Sequence, residues 1–212
     1  MSIVTARNVS KQIKGNTVLN DINLNVEENE CVAIYGKNGS GKSMLLKAVC
    51  GFVSIQKGTI EVMGTLVGRK GYFAPDTGCL IERPGFFGHL SGRKNLEELL
   101  RISPKSDHYD ISEMMRRFEL DPLNKKPYKN YSLGMKQKLG IIQAILTKPR
   151  LLVLDEPSNN LDERSAEILI EQLKTLKKAG TTILLASHDL EEISALADCT
   201  YQMTDGCLKE GI

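Results

Sequence analysis

The sequence predicts an α/β fold built on a mostly parallel sheet. Three observations carry that prediction. Short apolar runs at Cys31 to Tyr35 (CVAIY), Leu151 to Leu154 (LLVL) and Thr181 to Ala186 (TTILLA) have the length and composition of strands covered on both faces. Helical patterns separate these runs. The first run ends in a glycine-rich loop, GKNGSGKS, which leads into a helix.

Taken in order, Leu19 to Val26 alternates, with Ile22, Leu24 and Val26 on one face and Asn23 and Asn25 on the other. That is a half-buried strand, and it belongs to an N-terminal antiparallel β portion. CVAIY follows as a buried strand, then a helix from about Lys42 that Gly51 ends. Gly58 to Met63 reads as a further strand. From Ser91 the pattern turns helical, with Leu96, Leu99 and Leu100 on one side. Asp110 and Glu113 form a capping box for a helix carrying Met114, Met115 and Phe118. Pro122 and Pro127 break that region. Ser132 N-caps a helix through Leu139, Ile142 and Leu146. A polar-faced helix near Ser165 to Lys178 separates LLVL from TTILLA, and Asp189 with Glu192 caps one more. Asp205-Gly206 is a hairpin turn. The expectation is one domain over residues 1–212, with a mostly helical insertion between about Ser91 and Pro127 and a helical subdomain over about 91–145.

Composition narrows the function. The 212 residues are 41% hydrophobic and 25% charged, with a formal net charge of +2. That balance suits one globular domain and gives no argument for nucleic acid. Five cysteines are an odd count without a CxxC pair, so free thiols are expected rather than disulfides or zinc. MSIVTARNVS lacks the order of a signal peptide, and no apolar run reaches membrane-spanning length. If the protein works at a membrane, another chain crosses it.

Gly36 to Ser43 matches G-x-x-x-x-G-K-[ST] between a buried strand and a helix, the context this motif requires. The backbone N–H groups of Gly36, Lys37, Asn38, Gly39, Ser40 and Gly41 can curl around phosphate oxygens. The helix N-terminus adds its positive end. Lys42 neutralises the β- and γ-phosphates of ATP, and the Ser43 hydroxyl can ligate Mg²⁺. The alternative is a plain glycine-rich turn. LLVLDE places two carboxylates at a strand's C-terminal edge, where open α/β sheets bind ligands. Asp155 would hold Mg²⁺ and Glu156 would polarise the attacking water. Alone, a strand followed by Asp-Glu-Pro is as often a solvated turn.

These residues resemble the ABC-transporter ATPase family over nearly the whole chain. Tyr131 to Gln137 (YSLGMKQ) resembles its signature sequence, commonly LSGGQ. Ser132 and Gly134 fall on the signature Ser and second Gly, while Leu133 and Met135 replace the first Gly and the Gln. The resemblance implies that Ser132, Leu133, Gly134 and Met135 close over ATP held by another subunit. Seen alone, the segment is an ordinary capped helix start. SNNLD, ending at Asp162, resembles the D-loop, and His188 in LLASHDL resembles the switch histidine. His89 and His108 have no such context and are expected at the surface.

Glu82, in LIERPGFFGHLSGRKNL, occupies the place where the family expects a Gln that ligates Mg²⁺; Asp76 is a second candidate, and a plain loop acid is the alternative. The stretch resembles the ATPases of bacterial peptide and antibiotic exporters. Two departures stand out. Ile13 replaces the aromatic residue that stacks on adenine, with Gln12 or Lys14 against the base if the alignment shifts. Met44 replaces a second Ser or Thr after the phosphate loop, keeping the backbone N–H but no hydroxyl. Both imply weaker nucleotide affinity.

The resemblance implies an ATP-hydrolysing subunit, with ATP and Mg²⁺, that powers a separate integral membrane permease from the inner face of the cell membrane. It pairs with a second ATPase subunit, identical or different, and binds no nucleic acid. The alternative is a non-transport ABC ATPase acting on ribosomes or DNA; paired cassettes, a long coiled coil or basic extensions would favour it, and this chain has none. A regulatory module without turnover would not need Asp155, Glu156 and His188 together. A small-molecule kinase would not need the signature.

Overall fold

The computed structural model describes residues 1–68, 72–82, 84–103 and 110–211; His108 lies outside them. Two long strands, β1 (Ser2–Ile13) and β2 (Asn16–Glu27), form an antiparallel hairpin through Lys14-Gly15. With β4 (Lys57–Val62) and the short β5 (Thr65–Leu66) they make a four-stranded antiparallel sheet in the order β2-β1-β4-β5. The central sheet has six strands. It contains β3 (Cys31–Tyr35), β6 (Thr77–Leu80), β7 (Leu151–Asp155), β8 (Thr182–Ala186), β9 (Cys199–Thr204) and β10 (Cys207–Glu210). Its order is β10-β9-β3-β8-β7-β6, parallel throughout except for the β9-β10 hairpin. Asp205-Gly206 makes that hairpin turn with both residues at positive φ, as a two-residue primed turn demands.

The apolar runs are continuous because the central sheet is covered on both faces, and the pleat divides each run between two cores. Val32 and Ile34, Leu151 and Val153, and Leu184 and Ala186 face the antiparallel sheet and α1 (Lys42–Val49). Cys31, Leu152 and Leu154, and Ile183 and Leu185 face the opposite side. That second core also takes residues from α2 (Gly92–Ile102), α3 (Ile111–Arg117), α4 (Leu133–Ile145) and α5 (Glu163–Lys178). Its anchors include Met115 and Phe118, both fully buried. Truncating such a Phe to Ala costs about 3–5 kcal/mol. Helix α4 lies so close to β6 that a Cβ on Gly78 would sit 1.9 Å from the Ala144 carbonyl oxygen, so only glycine fits there.

Helices α2 to α4, with one 3₁₀ turn at Tyr128–Asn130, fall between β6 and β7. Ser91 caps α2, and Ser132 caps α4 by accepting from the Met135 N–H at 3.2 Å. The two predicted capping boxes form only their first halves. Asp110 accepts from the Glu113 N–H, but the Glu113 carboxylate pairs with Arg117 along the helix. Asp189 caps α6 (Leu190–Leu196), but the Glu192 carboxylate turns away into the interior. The cysteines carry free thiols, as expected. Among the described residues, no helix is long and apolar enough to cross a membrane.

Candidate active site

The loop from Gly36 to Gly41 joins β3 to α1 at the C-terminal edge of the parallel strands. Gly41 precedes the helix at φ 114, a conformation a side chain would strain, and a Cβ there would meet the Val18 carbonyl oxygen at 2.8 Å. Lys42 opens α1 and is 5% exposed. Its ammonium donates to the carbonyls of Gly36 at 2.7 Å and Lys37 at 3.3 Å, curling the loop around itself. It also stands 3.7 Å from Glu156 Oε1.

A cleft of about 510 Å³ runs along this loop, and Asn38, Gly39, Gly41, Lys42, Ser43 and Met44 line it. Asp155 and Glu156 enter from the end of β7, and Glu82 enters from the loop after β6. The sequence-predicted phosphate loop, acidic pair and Glu82 are therefore brought together. Glu82 is not free in the cleft, since Lys47 Nζ donates to its Oε1. Lys47 sits one helical turn after Ser43, on the same face of α1.

Burial raises the Asp155 carboxyl above the ordinary carboxylate range; the Ser43 hydroxyl opposes that shift and the charge of Glu156 adds to it. Glu156 takes a positive φ of 48°, and its N–H donates to the Ala186 carbonyl at 2.8 Å. Its Oε2 lies 2.5 Å from His188 Nδ1 and accepts from the His188 N–H at 3.3 Å. Among the described residues, four buried side-chain oxygens have no hydrogen-bond partner: Ser40 Oγ, Asp155 Oδ1, Glu156 Oε1 and Glu192 Oε1. Those of Asp155 and Glu156 belong to residues lining the cleft, and Ser40 is on the same loop but lines the neighbouring cavity that also holds His188. Buried polar atoms are rarely left unmatched, so this arrangement suits a ligand that brings its own donors and a cation.

Other residues fall outside this cleft. Ser132 and Met135 stay at the start of α4, Leu133 is 56% exposed, and a Cβ on Gly134 would lie 3.0 Å from the Asn160 carbonyl oxygen. Asp162 caps α5, accepting from the Ser165 N–H and hydroxyl at 2.8 and 2.7 Å, and these bonds hold its carboxyl below the ordinary range. Ile13 is at the β1-β2 hairpin and 39% exposed. His188 lies across the loop in a second cavity of about 570 Å³ with Tyr35, Gln202 and Asp205.

Sequence reading missed Val18, Lys47, Gln137, Asn159 and Asn160, which also line the cleft. Gln137 Nε2 donates to the Pro157 carbonyl at 2.8 Å and so ties α4 to the acidic loop. Its only sequence signal was membership of YSLGMKQ.

A strand, a phosphate-cradling loop and a helix, with an acidic pair on a neighbouring parallel strand, define a P-loop nucleoside-triphosphatase fold. The chain belongs to the ABC transporter family, whose sequence model matches residues 19–159. It is 35% identical over 207 residues to the uncharacterized ABC transporter ATP-binding protein YybJ of Bacillus subtilis, covering 98% of this chain and 95% of YybJ. It is 35% identical to the lantibiotic transport ATP-binding protein SrtF of Streptococcus pyogenes, covering 91% and 82%. To the bacitracin transport ATP-binding protein BcrA of Enterococcus faecalis it is 34% identical, covering 99% and 69%. A solved ATP-binding subunit of an ABC transporter superposes with a TM-score of 0.89 at 26% identity, covering 99% of this chain and 89% of that one. The dimeric post-hydrolysis state of the cassette MJ0796, bound to ADP and Pi, shares the fold with a TM-score of 0.84 at 22% identity, over 98% and 97%.

Proposed function

We propose that this chain is a Mg²⁺-dependent ATPase whose cycle drives a separate membrane permease exporting a peptide, an antibiotic or another amphipathic compound. The observation that carries the ATPase reading is the pair of unmatched buried oxygens on Asp155 and Glu156 in the cleft, with the Lys42 ammonium 3.7 Å from the second. The export reading rests on likeness to the lantibiotic and bacitracin transport subunits.

In this reading the N–H groups from Gly36 to Met44 and the Lys42 ammonium hold the triphosphate. Ser43, Asp155 and Glu82 offer oxygens for Mg²⁺, which when bound neutralises charge on the β- and γ-phosphates. Lys47 engages Glu82 through Oε1, so Oε2 is the oxygen Glu82 would offer. Glu156 Oε1 accepts a hydrogen bond from the attacking water and draws its proton as the γ-phosphorus is attacked. His188 holds Oε2, so Oε1 is the oxygen left for water. Ser132, Leu133, Gly134, Met135 and Asp162 serve the ATP of a second subunit, and Ile13 faces the base. The chain works on the inner face of the membrane through its permease.

The test is phosphate release from ATP by the purified chain, with Mg²⁺ and with the metal chelated, and identification of the membrane protein that co-purifies with it. Hydrolysis should require Mg²⁺. Turnover unaffected by chelation would contradict the metal assignment, and a ribosomal or DNA partner in place of a membrane protein would contradict the transport reading.

A further inference from the structure

Glu192 is 2% exposed, and none of the roles above uses it. As the third residue of α6 its carboxylate would be expected to reach back to the Asp189 N–H, but Ser187 Oγ takes that N–H at 3.0 Å. The carboxylate instead accepts from two hydroxyls through one oxygen. Ser187 Oγ donates to Oε2 at 2.6 Å, and Ser158 Oγ donates to the same atom at 3.2 Å. Ser187 immediately precedes His188, and Ser158 lies two residues after Glu156. One buried acid therefore clamps together the two loops whose side chains meet at His188 Nδ1 and Glu156 Oε2.

The clamp has something to hold. Glu156 is in the left-handed region, a conformation that costs a non-glycine residue on the order of 1–3 kcal/mol and persists only where the surroundings enforce it. Burying a carboxylate is itself unfavourable, and burial raises the Glu192 carboxyl above its ordinary range. A mere helix cap needs no buried acid. Two loops fixed at a set separation need one acceptor reached from both, and Oε2 is that atom, while the equally buried Oε1 has no partner among the described residues.

We infer that Glu192 is a positioning residue for ATP hydrolysis, which through the Ser158 and Ser187 hydroxyls sets the placement of Glu156 against His188. The inference rests on the reading of Glu156 and His188 as catalytic.

The experiment measures steady-state turnover and equilibrium binding of a fluorescent ATP analogue for Glu192→Ala, Glu192→Gln, Ser158→Ala and Ser187→Ala, with Glu156→Gln alongside. Glu192→Ala should lower kcat about ten- to a hundredfold, the scale of a small misplacement of reacting groups. Binding should stay within about twofold, because the lost contact acts on the chemical step. Glu192→Gln keeps an acceptor oxygen for both hydroxyls and should recover most of the rate. If Glu192→Ala does not fold, the serine variants decide, each expected to be slower with binding unchanged. Wild-type kcat in Glu192→Ala, or in both serine variants, would overturn the inference. So would parallel loss of binding and turnover, or failure of Glu192→Gln to recover. Wild-type turnover in Glu156→Gln would instead remove the catalytic reading on which it rests.

Discussion

His188 Nδ1 lies 2.5 Å from Glu156 Oε2, while the other oxygen of the same carboxylate faces the Lys42 ammonium at 3.7 Å. Glu156 thus stands between the phosphate-loop lysine and the histidine of the next strand. Lys42 and Oε1 are too far apart for a hydrogen bond, and among the described residues that oxygen has no hydrogen-bond partner.

Glu156→Gln should abolish turnover and leave ATP binding intact. The amide preserves shape and the contact to His188 but cannot take a proton, and loss of a general base costs about a hundred- to ten-thousand-fold. An ATP-bound dimer should accumulate, visible as a doubled mass in size exclusion with ATP and Mg²⁺. Phosphate release near the wild-type rate would remove Glu156 from this role.

Lys42→Ala should damage binding itself. Each charge-assisted hydrogen bond to phosphate is worth about 1.5–3 kcal/mol, so affinity should drop by about tenfold or more. The substitution also deletes the bonds to the Gly36 and Lys37 carbonyls that curl the loop. An unchanged titration with a fluorescent ATP analogue would contradict the phosphate-loop assignment.

Ser132→Arg should act between subunits. The phosphate-loop cleft does not include Ser132, so each monomer should still bind ATP. Dimer closure and hydrolysis should fail, because a long cation fills the place of the γ-phosphate. Loss of the cap to Met135 is a separate effect, and Ser132→Asn, which preserves a cap, controls for it. Normal hydrolysis by Ser132→Arg would make YSLGMKQ an ordinary helix start.

Asp155→Asn should stabilise the nucleotide-free, metal-free protein at neutral pH. Burial holds the Asp155 carboxyl above its ordinary value of 3.8, so the folded state binds the proton more tightly than the unfolded chain. The resulting stability is fully present below the ordinary value and is lost as pH rises through the raised one. Asn has no proton to lose, so its advantage should be full at pH 7 and shrink as pH falls toward 4. A gain of 1 kcal/mol would raise Tm by about 2–4 °C in a chain of this size. Thermal unfolding from pH 5 to 8 in chelator checks this, and a variant less stable than wild type at pH 7 would refute it.

The phosphate loop and acidic pair were legible because their signals are local. CVAIY and LLVL have no polar interruption, and each leads directly into residues that meet in the cleft. The strand Ser2–Ile13 was not legible. Its pairing shifts register between Ala6 and Val9 and again before Lys11, and Asn8 sits at positive φ, so the two-residue alternation is broken. β6 was missed because TGCL is four residues long and contains a glycine chosen for close approach to α4. The task of Glu192 depends on Ser158, 34 residues away, and short-range patterning led instead to a capping box. Val18 reaches the cleft only because the antiparallel sheet packs over the loop.

The base end of the site turns on Ile13. If it faces adenine, ATP is held mostly by its triphosphate, because an aliphatic side chain keeps dispersion contact but lacks a flat π-face. Ile13 stands at the β1-β2 hairpin, partly exposed, while Val18 from β2 lines the cleft beside Gly41. If the base rests on Ile13 and Val18, it meets aliphatic side chains and no ring there, and ATP and GTP should be discriminated weakly. Stacking a base on an aromatic ring is worth about 1–3 kcal/mol, so Ile13→Tyr should tighten ATP binding several-fold. Turnover at saturating ATP should change little, since the added contact is equal in ground and transition states. Equilibrium binding of ATP and GTP to the wild type and to Ile13→Tyr measures this. A strong wild-type preference for ATP that the substitution does not move would place the base against a different residue, with Gln12 and Lys14 the next to substitute.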